Sequence, residues 1–243
     1  TGDYQGLELL NFYKAYRALV RAKVSLFSMP AEASPVQRAA TLRQYRNYAN
    51  LAESYSTIPS RFLTITHGVS AVGKSSVAMR LVEALGAIRL RSDVIRKQLF
   101  GQQTAENAVG DGIYNADASA ATYSKLHELA GIVLRAGFPV VIDATYLKRE
   151  QRDAAAQVAE ATGVPCLILD CTAPDAVIEG WLAHRKSVGT DPSDATLEVV
   201  KAQQASREPL GADEILRSKR VETNNSKSLD TLIADIRQRL PGL

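Results

Sequence analysis

Apolar residues recur along this chain with two different periods. From Tyr4 to Phe27, the residues Leu9, Phe12, Tyr13, Tyr16, Val20, Val24 and Phe27 fall at helical spacing, and Pro30 stops the run. A second helical pattern carries Leu42, Tyr45, Ala49 and Ala52, starting after Pro35 and ending near Pro59. The spacing predicts an α-helical hairpin over residues 1–58, its Tyr and Phe stripe serving as a packing seam. Beyond it the period changes. Short apolar runs at 62–66, 88–90, 140–142, 166–169 and 220–222 alternate with helical patterns opening at Ser76 and spanning 94–100, 118–135, 149–161, 174–184, 194–205 and 229–240. Such alternation predicts βαβ units: an α/β, three-layer domain over residues 61–243 with a mainly parallel five-stranded sheet.

Between the first strand and its helix stands Gly68-Val69-Ser70-Ala71-Val72-Gly73-Lys74-Ser75, which satisfies G-x-x-x-x-G-K-[ST] at every fixed position. Strand, loop and helix in that order are the context this P-loop NTPase pattern needs. Backbone N–H groups of the loop and first helical turn converge on phosphate oxygens, and the positive helix end adds its field. The candidate nucleotide-binding residues are therefore Gly68, Ser70, Ala71, Val72, Gly73, Lys74, Ser75 and Ser76. Lys74 would bridge the terminal phosphates, and the Ser75 hydroxyl would ligate Mg²⁺.

In such a sheet ligands lie beyond the carboxyl ends of the strands, so the polar residues after each apolar run carry the chemistry. Asp143 ends the run Pro139-Val140-Val141-Ile142 and is the second candidate for Mg²⁺; a turn or capping aspartate is the plainer alternative. Asp93 follows the second strand, with Arg96 three residues on. A carboxylate there would take a proton from a substrate hydroxyl attacking the γ-phosphate, while the guanidinium holds an anionic substrate; helix capping by Ser92 or Asp93 is compatible with that role. Arg149 and Arg152 follow Asp143-Ala144-Thr145, near enough in sequence to face the phosphate pocket; solvation on an otherwise polar helix face is the equal alternative. Arg185 precedes the polar stretch Ser187 to Asp194, of the kind used for mobile lids. The three histidines, His67, His127 and His184, show no ligand spacing and read as structural.

Composition narrows the setting. With 243 residues and 46% hydrophobic content, the chain can bury one sizeable core with a small appendage. A net charge of +3, with both signs interspersed, gives no footprint for nucleic acid or an anionic membrane. No apolar run approaches the ~18 residues of a membrane span. Cys166 and Cys171, the two cysteines, suit reduced thiols in a cytoplasmic protein better than a disulfide framework. The chain starts at Thr1 without a methionine, which is the expectation for a piece of a longer polypeptide.

The loop Gly68 to Ser75, together with Arg91-Ser92-Asp93-Val94-Ile95-Arg96, Val141-Ile142-Asp143-Ala144-Thr145 with Arg152, and Arg185 with Ser193-Asp194-Ala195, resembles the P-loop small-molecule kinases. Within them it is most similar to the ATP-binding group of zeta toxins, gluconate kinases and phage polynucleotide kinases. The resemblance covers roughly Arg61 to Leu240 and implies ATP and Mg²⁺, with Asp93 as general base, Arg96 and Arg152 at the acceptor, and Lys74 and Arg185 on the transferring phosphate. Residues 3–27 resemble the terminal helices of an aminoglycoside-phosphotransferase-like domain, which implies a covalently fused N-terminal kinase-like partner. Two positions depart from the pattern: Ala71-Val72 replace a Gly-rich pair, and Trp181 stands where relatives often carry an arginine.

The expected activity is Mg²⁺-dependent transfer of the ATP γ-phosphate to a hydroxyl of a small molecule. A nucleotide-dependent regulatory module and a 5′-hydroxyl kinase of nucleic acid or nucleotides are the competing expectations, the latter weakened by the low charge. The polar segment Gly101 to Asn115 is where an acceptor pocket is expected.

Overall fold

The computed structural model describes residues 2–56, 60–101, 115–188 and 196–239, with the backbone alone described at 185–188. The chain divides into two units, Thr1–Pro59 and Ser60–Leu243. In the first, α1 (Leu7–Phe27) packs against α2 (Pro35–Ser54). A capping box starts α2: Gln37 N–H donates to Ser34 Oγ at 3.3 Å, Ser34 N–H donates back to Gln37 Oε1 at 2.9 Å, and Pro35 supplies a pre-set φ at the first turn. One stripe of α1 packs inward through Ala18 and Ala22, while Leu9, Phe12, Tyr13, Tyr16 and Phe27 are exposed within this unit. Six of the seven α1 positions expected to form the packing seam, Val24 among them, are therefore exposed within this unit.

The second unit runs β1 (Leu63–His67), α3 (Lys74–Leu85), β2 (Ile88–Arg91), α4 (Ser92–Phe100), α5 (Ala116–Arg135), β3 (Val140–Asp143), α6 (Arg149–Ala161) and β4 (Cys166–Thr172), then α7 (Asp175–Val188), α8 (Leu197–Ser206), α9 (Ala212–Leu216), β5 (Ser218–Glu222) and α10 (Ser226–Arg239). Its five strands form one sheet in the order β2-β3-β1-β4-β5, and every pair is parallel. Parallel pairing requires helical crossovers that cover both sheet faces, which is why β1 and β3 are fully buried, including the polar Thr64, Thr66 and His67 of β1. From β1 the chain crosses to β2 on one side, and from β3 it returns past β1 to β4 on the other, so the crevice at the carboxyl end of β1 is the topological switch point. Register then aligns the site: Arg91 pairs with Asp143, and His67 with Asp170, at one end of the sheet.

The core joins Phe62, Val77, Leu81, Val141, Leu169 and Ile236 between the sheet and α3 and α10. A further helix, α9, was absent from the expected elements because five residues carry too little periodicity to register. Among the described residues no helix is long and apolar enough to cross a membrane.

Candidate active site

The loop after β1 is built on three backbone conformations that side chains resist. Gly68 has φ +136°, and an added Cβ would stand 2.7 Å from the Cys171 carbonyl oxygen. Gly73, at φ +89°, would bring a Cβ to 2.8 Å from Thr223 Cβ. Between them Ala71 takes φ 61° despite its side chain, so the departure from a Gly-rich pair leaves the loop shape intact at a cost of about 1–2 kcal/mol. The loop is tied to its surroundings: Gly68 N–H donates to Thr145 O at 3.0 Å, and Thr223 Oγ1 donates to Val72 O at 2.6 Å. Gly73→Ala must displace Thr223 and strain φ. Calorimetric titration with ADP should show at least a tenfold weaker affinity, and thermal unfolding a loss of about 1–3 kcal/mol.

Lys74 opens α3 and is buried, its Nζ donating to Val69 O at 2.6 Å across the loop. Ser75 Oγ donates to Asp143 Oδ2 at 2.8 Å. That carboxylate oxygen also receives Arg89 Nε at 3.0 Å and Arg89 Nη2, with Arg91 Nε 4.0 Å away. Asp143 is thus neither a cap nor a turn residue; it joins β3 to the phosphate loop and to β2. A hydroxyl and a carboxylate side by side supply the hard oxygens that Mg²⁺ takes, the remaining positions falling to water and phosphate, so the residues present fit that ion. Among the described residues no cluster of three His, Cys, Asp or Glu side chains offers an all-protein metal site.

Asp93 lies in the first turn of α4, where no side chain caps the helix; Ser92 Oγ instead donates to Asp143 O at 3.4 Å. Burial raises the Asp93 carboxyl above the ordinary carboxylate range, with Arg91, Lys74 and Arg96 opposing and Asp143 reinforcing the shift. Arg91 Nη2 stands 3.7 Å from Asp93 Oδ2. Arg96, also buried, reaches from α4 to α5 through Nη1 to Ser119 Oγ at 3.3 Å. Lys74, Asp93, Arg96 and Asp143 therefore share one field at the sheet's carboxyl end.

Arg152 has a different place from the acceptor position expected of it. It is fully buried on α6, and its guanidinium is consumed by the fold: Nε and Nη2 grip Glu214 at 2.6 and 3.0 Å, and Nη1 and Nη2 donate to the carbonyls of Tyr146, Leu147, Glu208 and Pro209. A substrate group has no donor left to meet there. Arg185 sits in the last turn of α7, where only the backbone is described, and most of the expected lid and acceptor segments, 189–195 and 102–114, lie outside the described residues.

Several site neighbours escaped the sequence reading. Arg89 is one, though an arginine inside the short strand Ile88-Arg89-Leu90 was a visible irregularity. His67, buried directly before the loop, bonds Tyr146 O through Nδ1 at 2.9 Å and accepts from Arg207 Nε at Nε2, 3.0 Å; Arg207 Nη2 also donates to Asp170 at 2.7 Å. Burial and Arg207 push His67 down to about 4, and burial does the same to His127. Both are neutral in the fold but protonate near 6.5 when unfolded. Their contribution to stability is therefore complete above pH 6.5 and is lost as pH falls toward 4. Unfolding free energies from denaturant titrations at neutral pH and at about pH 5 should differ by on the order of 2 kcal/mol per histidine.

Sheet order, phosphate loop and strand-end carboxylates together define a P-loop α/β fold. Solved structures sharing it include a sugar kinase from Janibacter sp. (19% identity, TM-score 0.54, covering 72% of this chain and 94% of that one) and a gluconokinase from Sinorhizobium meliloti (19%, 0.55, 75% and 94%). A putative kinase from Chloroflexus aurantiacus is also similar (16%, 0.57, 76% and 98%). The AAA domain family matches residues 63–210, and the chain belongs to that family. Uncharacterized proteins of Mycobacterium tuberculosis and Mycobacterium bovis are 30% identical over 213 residues, 84% of this chain. The match spans 40% of those relatives' length.

Proposed function

We propose that this protein is an ATP-dependent kinase that phosphorylates a hydroxyl of a small molecule, similar to the zeta-toxin, gluconate kinase and polynucleotide kinase group. The observation that carries the reading is Asp93: a half-buried carboxylate with a raised pKa, facing Lys74, Arg91 and Arg96 beside the Ser75–Asp143 pair. A group whose pKa is moved toward the working pH suits proton abstraction. In the proposed reaction Asp93 takes the proton of the acceptor hydroxyl, whose oxygen attacks the γ-phosphorus as the bond to the β-γ bridging oxygen breaks, leaving ADP. Loop N–H groups and Lys74 hold the phosphates, and Arg96 orients the acceptor. Mg²⁺, held by Ser75 and Asp143, would neutralise phosphate charge. Arg185 we place in the lid, where it would close over the phosphates; Arg152 we assign to the framework.

We also propose that a further, kinase-like part of the polypeptide covers the exposed Phe12, Tyr13 and Tyr16 face of the N-terminal unit. That face and the greater length of the relatives support it. Free Cys166 and Cys171, both with raised thiol pKa values, are in keeping with a reducing cytoplasm.

Phosphorus NMR of ATP, Mg²⁺ and the protein with a metabolite extract tests the activity. The expected result is a new phosphoester resonance that Asp93→Asn abolishes. Unchanged ATP, or slow release of free phosphate alone, would favour the regulatory module instead.

A further inference from the structure

A phosphate loop works through backbone N–H groups left open to an anion, yet one of them here is already taken. Ser70 N–H donates to Gln203 Oε1 at 2.7 Å. Gln203 lies on α8, far along the chain, and both it and Ser70 are half-buried. The contact does not rest on one flexible side chain, because the helix that carries Gln203 is fastened around it. Gln204 Nε2 donates to Asp175 on α7 at 2.9 Å. Just past the helix end, Arg207 grips His67 and Asp170, and Glu208 N–H donates to Leu147 O at 2.9 Å. Gln203 is thereby aimed at the loop from a braced position.

An amide oxygen carries partial negative charge and accepts one N–H in the geometry that a phosphate oxygen would use. A single N–H donor cannot serve both at full strength. We propose that Gln203 is an internal competitor for the nucleotide: its side-chain carbonyl holds Ser70 N–H, and a phosphate oxygen displaces it on nucleotide binding. This rests on the reading of the loop as a nucleotide site. Displacement cuts the tie between α8 and the loop, so helix α8 senses whether phosphate is present.

The inference separates from plain packing because competition predicts a gain on deletion. Truncating an ordinary supporting contact loosens the loop and weakens binding. Removing a competitor strengthens it, by about two- to tenfold if the cap has the net worth of one hydrogen bond. Isothermal titration of ADP with Mg²⁺ into the wild-type chain, Gln203→Ala and Gln203→Glu tests this. The expected order of affinity is Ala above wild type above Glu, since a carboxylate holds Ser70 N–H more strongly and repels the incoming phosphate. Thermal unfolding of each variant verifies that the fold is kept. Should Ala destabilise the chain, the Gln203 side-chain NH₂ resonances of the wild type decide: they should shift on ADP addition. Wild-type affinity equal to or tighter than that of a folded Ala variant, or unmoved resonances, overturns the inference alone. Binding by none of the three proteins overturns the nucleotide reading, and the inference with it.

Discussion

Glu214→Ala should cost about 3–5 kcal/mol in unfolding free energy. Arg152 and Glu214 are both fully buried, and their guanidinium and carboxylate meet at 2.6 and 3.0 Å. Burial by itself would raise the Glu214 carboxyl, but hydrogen bonds from Arg152 and Gly211 N–H outweigh it and hold the pKa below its ordinary value. Removing the carboxylate leaves the guanidinium charged, dry and without its counter-ion. The loss should spread, because Arg152 also gathers the carbonyls of Tyr146, Leu147, Glu208 and Pro209. These belong to the chain segments that lead into α6 and α9, where Lys148, Arg149 and Arg207 also lie. Urea denaturation read by circular dichroism measures the effect; a loss under about 1 kcal/mol would place the pair among solvated ones. Replacing both partners by apolar residues of matching volume should recover much of the stability, since the penalty belongs to the orphaned charge.

Asp93→Asn should lower kcat by about 10²- to 10⁴-fold while leaving nucleotide affinity within a few-fold of wild type. The amide matches the carboxylate in size but cannot take a proton. Asp93 is near the loop without being one of its phosphate donors, so binding and transfer should separate. In the wild type the rate should rise with pH through an apparent pKa above the ordinary carboxylate value, because the active form is the deprotonated one. A residual Asn rate should lack that dependence. Equal loss of affinity and rate would instead assign Asp93 to the architecture of α4. Turnover kinetics over pH, with ADP titration of both proteins, distinguishes the two outcomes.

How much of this was written in local sequence differs between elements. Helix α6, over Arg149–Ala161, was legible to the residue, because apolar positions at helical spacing are a property of neighbours. Strand β4 ran three residues past the apolar run 166–169, to Thr172, since Asp170 and Cys171 are held by pairing to β5 that no local pattern reports. The phosphate loop was legible because its chemistry needs consecutive backbone amides, which must be close in sequence. Asp93 and Asp143 were legible as strand-end polar residues, a rule that follows from parallel sheet geometry.

Arg152 shows the limit. Its distance in sequence from Asp143 suggested a phosphate contact, but Glu214 lies 62 residues farther on and claims the side chain. Gln203 and Thr223 likewise reach the loop, and Arg207 the ends of β1 and β4, from far along the chain, with nothing periodic or motif-like about them. Periodicity and spacing alone determined that this chain has a parallel α/β unit with a phosphate loop, and an amphipathic hairpin before it. Which charged groups face the loop and which are spent inside the fold was decided by tertiary structure. The physical reason is that a charge's role depends on its partners and its desolvation, and both are set by chain segments folded together from far apart.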